Sequence, residues 1–328
     1  MMAAQTPLLV MDGLSLGLGS GNRAMIVPSL NLTVNAGECL GLVGESGSGK
    51  SLSLRAILGL LPNSIHRSAG RILLRGPTGL AEHDPASLRG NGISMVFQEP
   101  MSSLNPSMRI GDLVAAGLRA KGMARGKART KAISLLREVG FPAPEKRLDD
   151  WPHQLSGGLR QRVMIAMALS VEPALLLCDE PTTALDVTTQ EQILLLLERL
   201  KKDRGLGILF VTHDLSVISR IADRTAVMYA GRLVEEGPTA ELLAAPRHPY
   251  TLALLSCLPQ AGTGQRRLQA IDGTPPAAGE HGGGCIFAPR CTFAAHQCLT
   301  AEPVLADIAP AHRTACYRHV LLREGLSR

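Results

Sequence analysis

Three glycines, three serines and a lysine packed into eight residues carry the first chemistry in this chain. The segment Gly44-Glu45-Ser46-Gly47-Ser48-Gly49-Lys50-Ser51 follows a short apolar run, Glu38 to Val43, and leads into Leu52 to Leu58, which has helical character. Strand, glycine-rich loop and helix is the context a phosphate cradle requires. The glycines let the backbone turn so that successive N–H groups point at phosphate oxygens. Lys50 would place a cation on the β- and γ-phosphates. The Ser51 hydroxyl is the expected Mg²⁺ ligand, and the helix N-terminus adds its positive dipole end. A chance glycine-rich turn is the bland alternative, and the full spacing in this context argues against it.

Two more strand-like runs end in polar pairs. Leu175-Leu-Leu-Cys-Asp179-Glu180 reads as a buried strand whose tip carries two carboxylates. Asp179 is placed to hold Mg²⁺, and Glu180 to polarise an attacking water as general base. Phe210-Val-Thr-His213-Asp214 ends in a histidine able to meet a γ-phosphate. Taken alone, His213 reads more readily as a structural histidine than a functional one; in series with the other motifs that balance reverses. Leu155-Ser156-Gly157-Gly158 is a second glycine-containing turn before a helix. A chain with one phosphate loop does not need another for the same nucleotide, so this turn is best explained as serving a nucleotide held by a different subunit.

At this point the residues resemble the ATP-binding cassette (ABC) family. Its signature resembles Leu155 to Gly158, its Q-loop Gln98, its D-loop Ala184-Leu185-Asp186 and its switch histidine His213, in the family's order and over most of residues 5–245. The resemblance implies an α/β, RecA-like P-loop NTPase fold. It has an antiparallel β-subdomain, a helical subdomain near residues 96–160, and a small cysteine-containing extension over residues 246–328 after a cassette of residues 1–245. It also implies a head-to-tail dimer, in which Lys50 and Ser51 of one subunit face Ser156, Gly157 and Gly158 of the other across Mg-ATP. Gln98 becomes a hinge and a third Mg²⁺ ligand beside Ser51 and Asp179, and Asp186 lies at the subunit boundary. With Glu180 and a full signature present, the subunit is expected to hydrolyse ATP. The family's adenine-stacking aromatic has no counterpart between Gly19 and Met25, where Arg23 or Met25 would have to substitute.

The tail narrows the resemblance. Ala245-Pro-Arg-His-Pro249-Tyr250 and Gly284-Cys285-Ile-Phe-Ala-Pro-Arg-Cys291 resemble the extension of the dipeptide and oligopeptide importer ATPases, a group that includes nickel importers. Phe97 to Pro106 and Tyr229 to Gly237 agree with it, although Thr292 stands where that group usually has proline. By resemblance the partners are two transmembrane permease subunits, a second ATPase and a periplasmic substrate-binding protein. The site of action would be the cytoplasmic face of a bacterial inner membrane. Cys285, Cys291, Cys298 and Cys316 have five, six and seventeen residues between them, wider than the pairs of a structural zinc site. A [4Fe-4S] cluster, as some peptide importers carry, zinc, and plain thiols all stand as readings. Any role would be structural. His281, His296 and His312 are expected to face solvent, and Cys39, Cys178 and Cys257 to be core thiols.

These groups need a large core to position them. The 328 residues are 45% hydrophobic but only 3% aromatic, so aliphatic side chains must do most of the packing. The mean hydropathy of +0.12 is that of buried parallel strands, since no run approaches the roughly 20 apolar residues of a spanning helix. The N-terminus has no secretory pattern, and the chain is expected to stay in the cytoplasm. The net charge of +6 is concentrated in Arg119, Lys121, Arg125, Lys127, Arg129, Lys131 and Arg137. Without interleaved aromatics that stretch reads as a wet helical face, not a nucleic-acid site.

Cassette ATPases of DNA repair insert long modules between loop and signature, but Lys50 and Leu155 lie only 105 positions apart. Translation-factor members carry two cassettes, and a regulatory module would lack Glu180. A nickel chelate is the main rival cargo to peptides.

Overall fold

The computed structural model describes residues 6–19, 24–76, 78–99, 103–258, 271–280 and 282–321. The strands are β1 (Pro7–Leu18), β2 (Ala24–Asn35), β3 (Cys39–Val43), β4 (Ile65–Gly76), β5 (Gly79–Glu82), β6 (Ile93–Val96), β7 (Leu175–Asp179), β8 (Gly207–Thr212), β9 (Arg224–Tyr229), β10 (Arg232–Pro238), β11 (Ala306–Ala309) and β12 (His312–Thr314). The longer helices are α1 (Lys50–Ile57), α2 (Ile110–Ala120), α3 (Arg125–Glu138), α4 (Gly157–Leu169), α5 (Val187–Arg204), α6 (Leu215–Ile221) and α7 (Pro249–Ser256). The chain divides into two compact units, one of Met1–Leu8, Val34–Glu38 and His83–Phe210, the other of Leu9–Thr33, Cys39–Glu82 and Val211–Arg328.

In the first unit β6 and β7 run parallel, with Ile93 opposite Leu175 and Val96 opposite Cys178. Leu175 to Cys178 are at most 1% exposed; an uninterrupted apolar run of this kind belongs to a parallel strand covered on both faces. Helices α2, α3 and α4 pack on one another. The spacing of Ile110, Leu113, Val114 and Leu118 puts one apolar stripe of α2 inward, and Ala128, Ala132, Leu135 and Leu136 do the same for α3. The opposite face of α3 carries Arg125, Lys127, Arg129 and Arg137 into solvent, so the basic stretch is the wet helical face its pattern predicts. Its charges are partly paired on the surface, Arg129 with Asp149 at 2.8 Å and Arg137 with Glu145.

The second unit holds an antiparallel sheet, order β2-β1-β4-β5, with Leu9 opposite Leu74 and Met11 opposite Ile72. Beside it, β3 pairs parallel with β9, and β9 turns back into β10 through Ala230 and Gly231. Both turn residues have positive φ, 43° and 83°, the conformation of a tight two-residue hairpin. β10 then pairs with β12 and β12 with β11, all antiparallel. The C-terminal segment therefore contributes two strands to a sheet begun near residue 39. Its core is aromatic: the Tyr229, Tyr250 and Phe287 rings lie 4.6 to 5.3 Å apart, and all three side chains are buried.

Candidate active site

β3, buried along its length, delivers the chain into the phosphate loop, and α1 carries it away from Lys50. At Gly44 a Cβ would sit 2.0 Å from the Met228 carbonyl oxygen, so no larger residue fits. Gly49, at the N-cap of α1, has φ +99°, which only glycine adopts without strain. Lys50 is 5% exposed, and its Nζ donates to the carbonyl oxygens of Gly44 at 2.7 Å and Glu45 at 2.8 Å and to Ser48 Oγ at 3.2 Å. Three partners satisfy the three protons of a buried ammonium and fix its charge at the centre of the loop. Ser51 lies half-buried in the first turn of α1. Glu45, Ser46, Gly47 and Ser48 line a cavity whose other wall is Tyr229, Ala230 and Pro275–Ala278.

The carboxylates lie in the other unit. Asp179 ends β7 at 1% exposure and Glu180 follows at 8%. Glu180 has φ +45°, a left-handed conformation costing about 1–3 kcal/mol in a residue with a Cβ. Its Oε2 accepts hydrogen bonds from Gln98 Nε2 at 3.2 Å and Thr183 Oγ1 at 2.9 Å. The sequence-predicted Gln98 and Glu180 are thus brought into contact, and Thr183, not foreseen, aims the carboxylate. Cys178 beside them is fully buried, and burial pushes its thiol well above the usual range.

The second glycine turn opens α4: Ser156 takes the N-cap position in an extended conformation, and Leu155 anchors the turn at 4% exposure. A Cβ on Gly158 would meet Thr189 Cγ2 at 2.4 Å, and one on Gly157 would approach Leu185 Cδ2 at 3.5 Å. Thr189 also donates its N–H to Asp186 Oδ1 at 2.9 Å and its hydroxyl to Asp186 Oδ2 at 2.7 Å. These bonds hold the Asp186 carboxyl below its ordinary range. One threonine therefore fits the signature glycine to the cap of α5, a role the sequence pattern does not advertise. Ser156, Gly157 and Asp186 are exposed, and Val187 is 82% exposed. His213, at the end of β8, is exposed too, ahead of Asp214, whose Oδ1 caps α6 by accepting from Ser216 N at 2.7 Å.

In the C-terminal segment Cys285, Cys291, Cys298 and Cys316 line one small cavity with His248, Phe287 and Phe293. Burial, with the neighbouring thiols, pushes Cys316 up to about 12, and burial raises Cys285 and Cys291. Among the described residues no group of three or more His, Cys, Asp and Glu has the spacing to hold a metal ion. His312 departs from expectation. It is 4% exposed, not solvent-facing, because its Nε2 lies 2.8 Å from the fully buried Glu235 carboxylate. Glu235 also accepts from the backbone N–H groups of Arg247 and His248. Cys39 and Cys178 are core thiols, whereas Cys257 is only half-buried. Arg23 and His281 lie outside the described residues, and His296 is exposed. Met25 is the second residue of β2, with Ser68 Oγ 3.9 Å from its sulfur.

A strand, glycine loop and helix holding a buried lysine, with a carboxylate pair at a second strand tip, define a P-loop nucleotide-binding protein. The ABC transporter profile matches residues 27–183, and that of the oligopeptide/dipeptide transporter C-terminal region matches residues 234–298. The chain belongs to the ABC transporter family. It is 45% identical to a putative peptide import ATP-binding protein of Brucella melitensis over 96% of this chain and 98% of that protein. It is 42% identical to an oligopeptide transport ATP-binding protein of Bacillus subtilis over 95% and 88%. Among solved structures it is similar to a dimeric bacterial ABC transporter cassette, with TM-score 0.61 and 28% identity over 71% of this chain and 99% of that one.

Proposed function

We propose that this chain is the ATP-hydrolysing subunit of a bacterial importer of di- and oligopeptides. The reading rests on one observation above the others: whole-length similarity to peptide import ATP-binding proteins in Brucella and Bacillus, extending through the oligopeptide/dipeptide C-terminal region. In this role the loop Gly44, Glu45, Ser46, Gly47, Ser48 and Gly49, with Lys50, binds the ATP phosphates. Ser51, Asp179 and Gln98 are the residues that would hold Mg²⁺, which when bound would neutralise charge on the phosphates. Glu180, held by Gln98 and Thr183, accepts the proton of the attacking water, and His213 meets the γ-phosphate. Ser156, Gly157 and Asp186, exposed on their own unit, and the half-buried Gly158 face a nucleotide bound by a second ATPase subunit.

The working complex joins two permease subunits, the second ATPase and a periplasmic binding protein at the cytoplasmic face of the inner membrane. Among the described residues no helix is long and apolar enough to cross a membrane. Cys285, Cys291, Cys298 and Cys316 line one cavity; these are the residues that would hold a [4Fe-4S] cluster, which when bound would cross-link a segment with little core of its own. A deletion strain tests the cargo. Lost growth on peptides as sole amino-acid source, with normal growth under nickel limitation, supports peptide import; the reverse pattern replaces the cargo with nickel.

A further inference from the structure

We propose that the C-terminal extension sets the phosphate loop through Arg290, a positioning residue for ATP binding. Arg290 ends the one-turn helix Ala288–Arg290, immediately before Cys291. Its side chain is 6% exposed, and its whole donor fork is engaged. Nη1 donates to Glu45 Oε2 at 2.8 Å and Nη2 to Glu45 Oε1 at 3.1 Å, a two-pronged ion pair across 245 residues of sequence. Nη1 also reaches the Tyr229 hydroxyl at 3.3 Å, Nε donates to the Asp272 carbonyl at 2.8 Å, and Nη2 to that of Ile271 at 3.2 Å. A planar fork with its donors committed holds a carboxylate in one orientation, which a lysine could not do.

Glu45 is gripped at three points. Its carboxylate meets Arg290, and its backbone N–H donates to the Tyr250 hydroxyl at 2.8 Å. Its carbonyl accepts from Lys50 Nζ at 2.8 Å. Tyr250 is fully buried against Tyr229 and Phe287, so its hydroxyl is a fixed post. The residue clamped by the extension is therefore the same residue that places the loop lysine. The charge balance requires the clamp. A loop gathering amides, a lysine and a helix N-terminus toward phosphate is opposed by an unpaired carboxylate at its second position. Arg290 neutralises that carboxylate and draws it toward the extension. Pro275–Ala278, from the same extension, form the facing wall of the cavity along Glu45 to Ser48.

The inference rests on the chain binding ATP, so the unaltered full-length chain is the control. Calorimetric titration with ATP in magnesium, together with kcat and KM for hydrolysis, reads the effect. Arg290→Met is expected to weaken ATP binding by about tenfold or more, the worth of one charge-assisted bond. KM should rise in step, with kcat at saturation within about threefold. Glu45→Gln added to Arg290→Met should recover most of the affinity, because the uncompensated carboxylate is gone. Arg290→Lys, which keeps the charge and perturbs the fold less, should weaken binding to an intermediate degree. Unchanged affinity in Arg290→Met or Arg290→Lys overturns the proposal. So does a double variant as weak as the single one, which would mark Arg290 as mere scaffolding. A parent chain that fails to bind ATP overturns the underlying ATPase assignment instead.

Discussion

Replacing Glu180 by glutamine should separate chemistry from binding. Glu180 Oε2 accepts from Gln98 Nε2 at 3.2 Å and Thr183 Oγ1 at 2.9 Å, and a glutamine carbonyl oxygen can accept both. Gln98 and Thr183 therefore keep their places, and the stability change should stay below about 1 kcal/mol, one ordinary hydrogen bond. What disappears is a base. Turnover should fall about 10²–10⁴-fold, which is roughly 3–5.5 kcal/mol of barrier, while ATP affinity changes little and an ATP-bound closed dimer accumulates. Glu180→Ala differs in a way the structure specifies. It removes both bonds, but Gln98 and Thr183 are exposed and water can accept from them, so it should add no more than about 1 kcal/mol of destabilisation to the same loss of turnover. Phosphate release at saturating Mg-ATP, nucleotide titration and thermal unfolding measure the three quantities. Turnover within about fivefold of the parent in Glu180→Gln, or an affinity loss as large as the turnover loss, would refute the base assignment.

Lys50→Ala removes the loop's cation and should weaken ATP binding by at least about tenfold in an equilibrium titration, consistent with loss of a charge-assisted contact. Gly158→Ala forces a Cβ to within 2.4 Å of Thr189 Cγ2; unfolding measurements should show about 1–3 kcal/mol of lost stability, as overpacking costs, largely restored by Thr189→Ser, which deletes that methyl. His312→Ala removes the imidazole from the fully buried Glu235, which keeps the backbone N–H groups of Arg247 and His248, and denaturant titration should register about 1–3 kcal/mol for the lost buried hydrogen bond. On the cluster reading, anaerobically purified protein is brown with broad visible absorbance and loses its colour in Cys298→Ser; colourless protein with one zinc per chain counts against the cluster.

The local elements that carry the candidate site were legible in sequence wherever they depend on contiguous residues. Gly44 to Ser51, Asp179-Glu180 and Leu155 to Gly158 each lie on the strand tip or helix start their pattern demands, because a loop between two short elements encodes its own geometry. Gln98 was legible by resemblance alone, and the structure adds the contact with Glu180. Residues whose role comes from tertiary neighbours were opaque. Thr189 is an ordinary helix residue until Gly158 and Asp186 are placed against it. His312 reads as a polar tail residue, and only the pairing of β12 with β10 beside Glu235 puts it inside. Arg290 was visible only as part of a cysteine motif, since nothing near it hints at a partner 245 positions away.

That separation has a consequence for how the protein is made. Chains emerge N-terminus first at about 5–20 residues per second, so Arg290 appears some 10–50 s after the Glu45 it grips. A nascent cassette carries its whole nucleotide loop sequence long before Arg290 can grip it, and on the proposed clamp its full hold on ATP waits for Arg290 to emerge. Ribosome-bound chains arrested before and after Arg290, compared for protection by ATP against proteolysis, should show that gain at the later arrest alone.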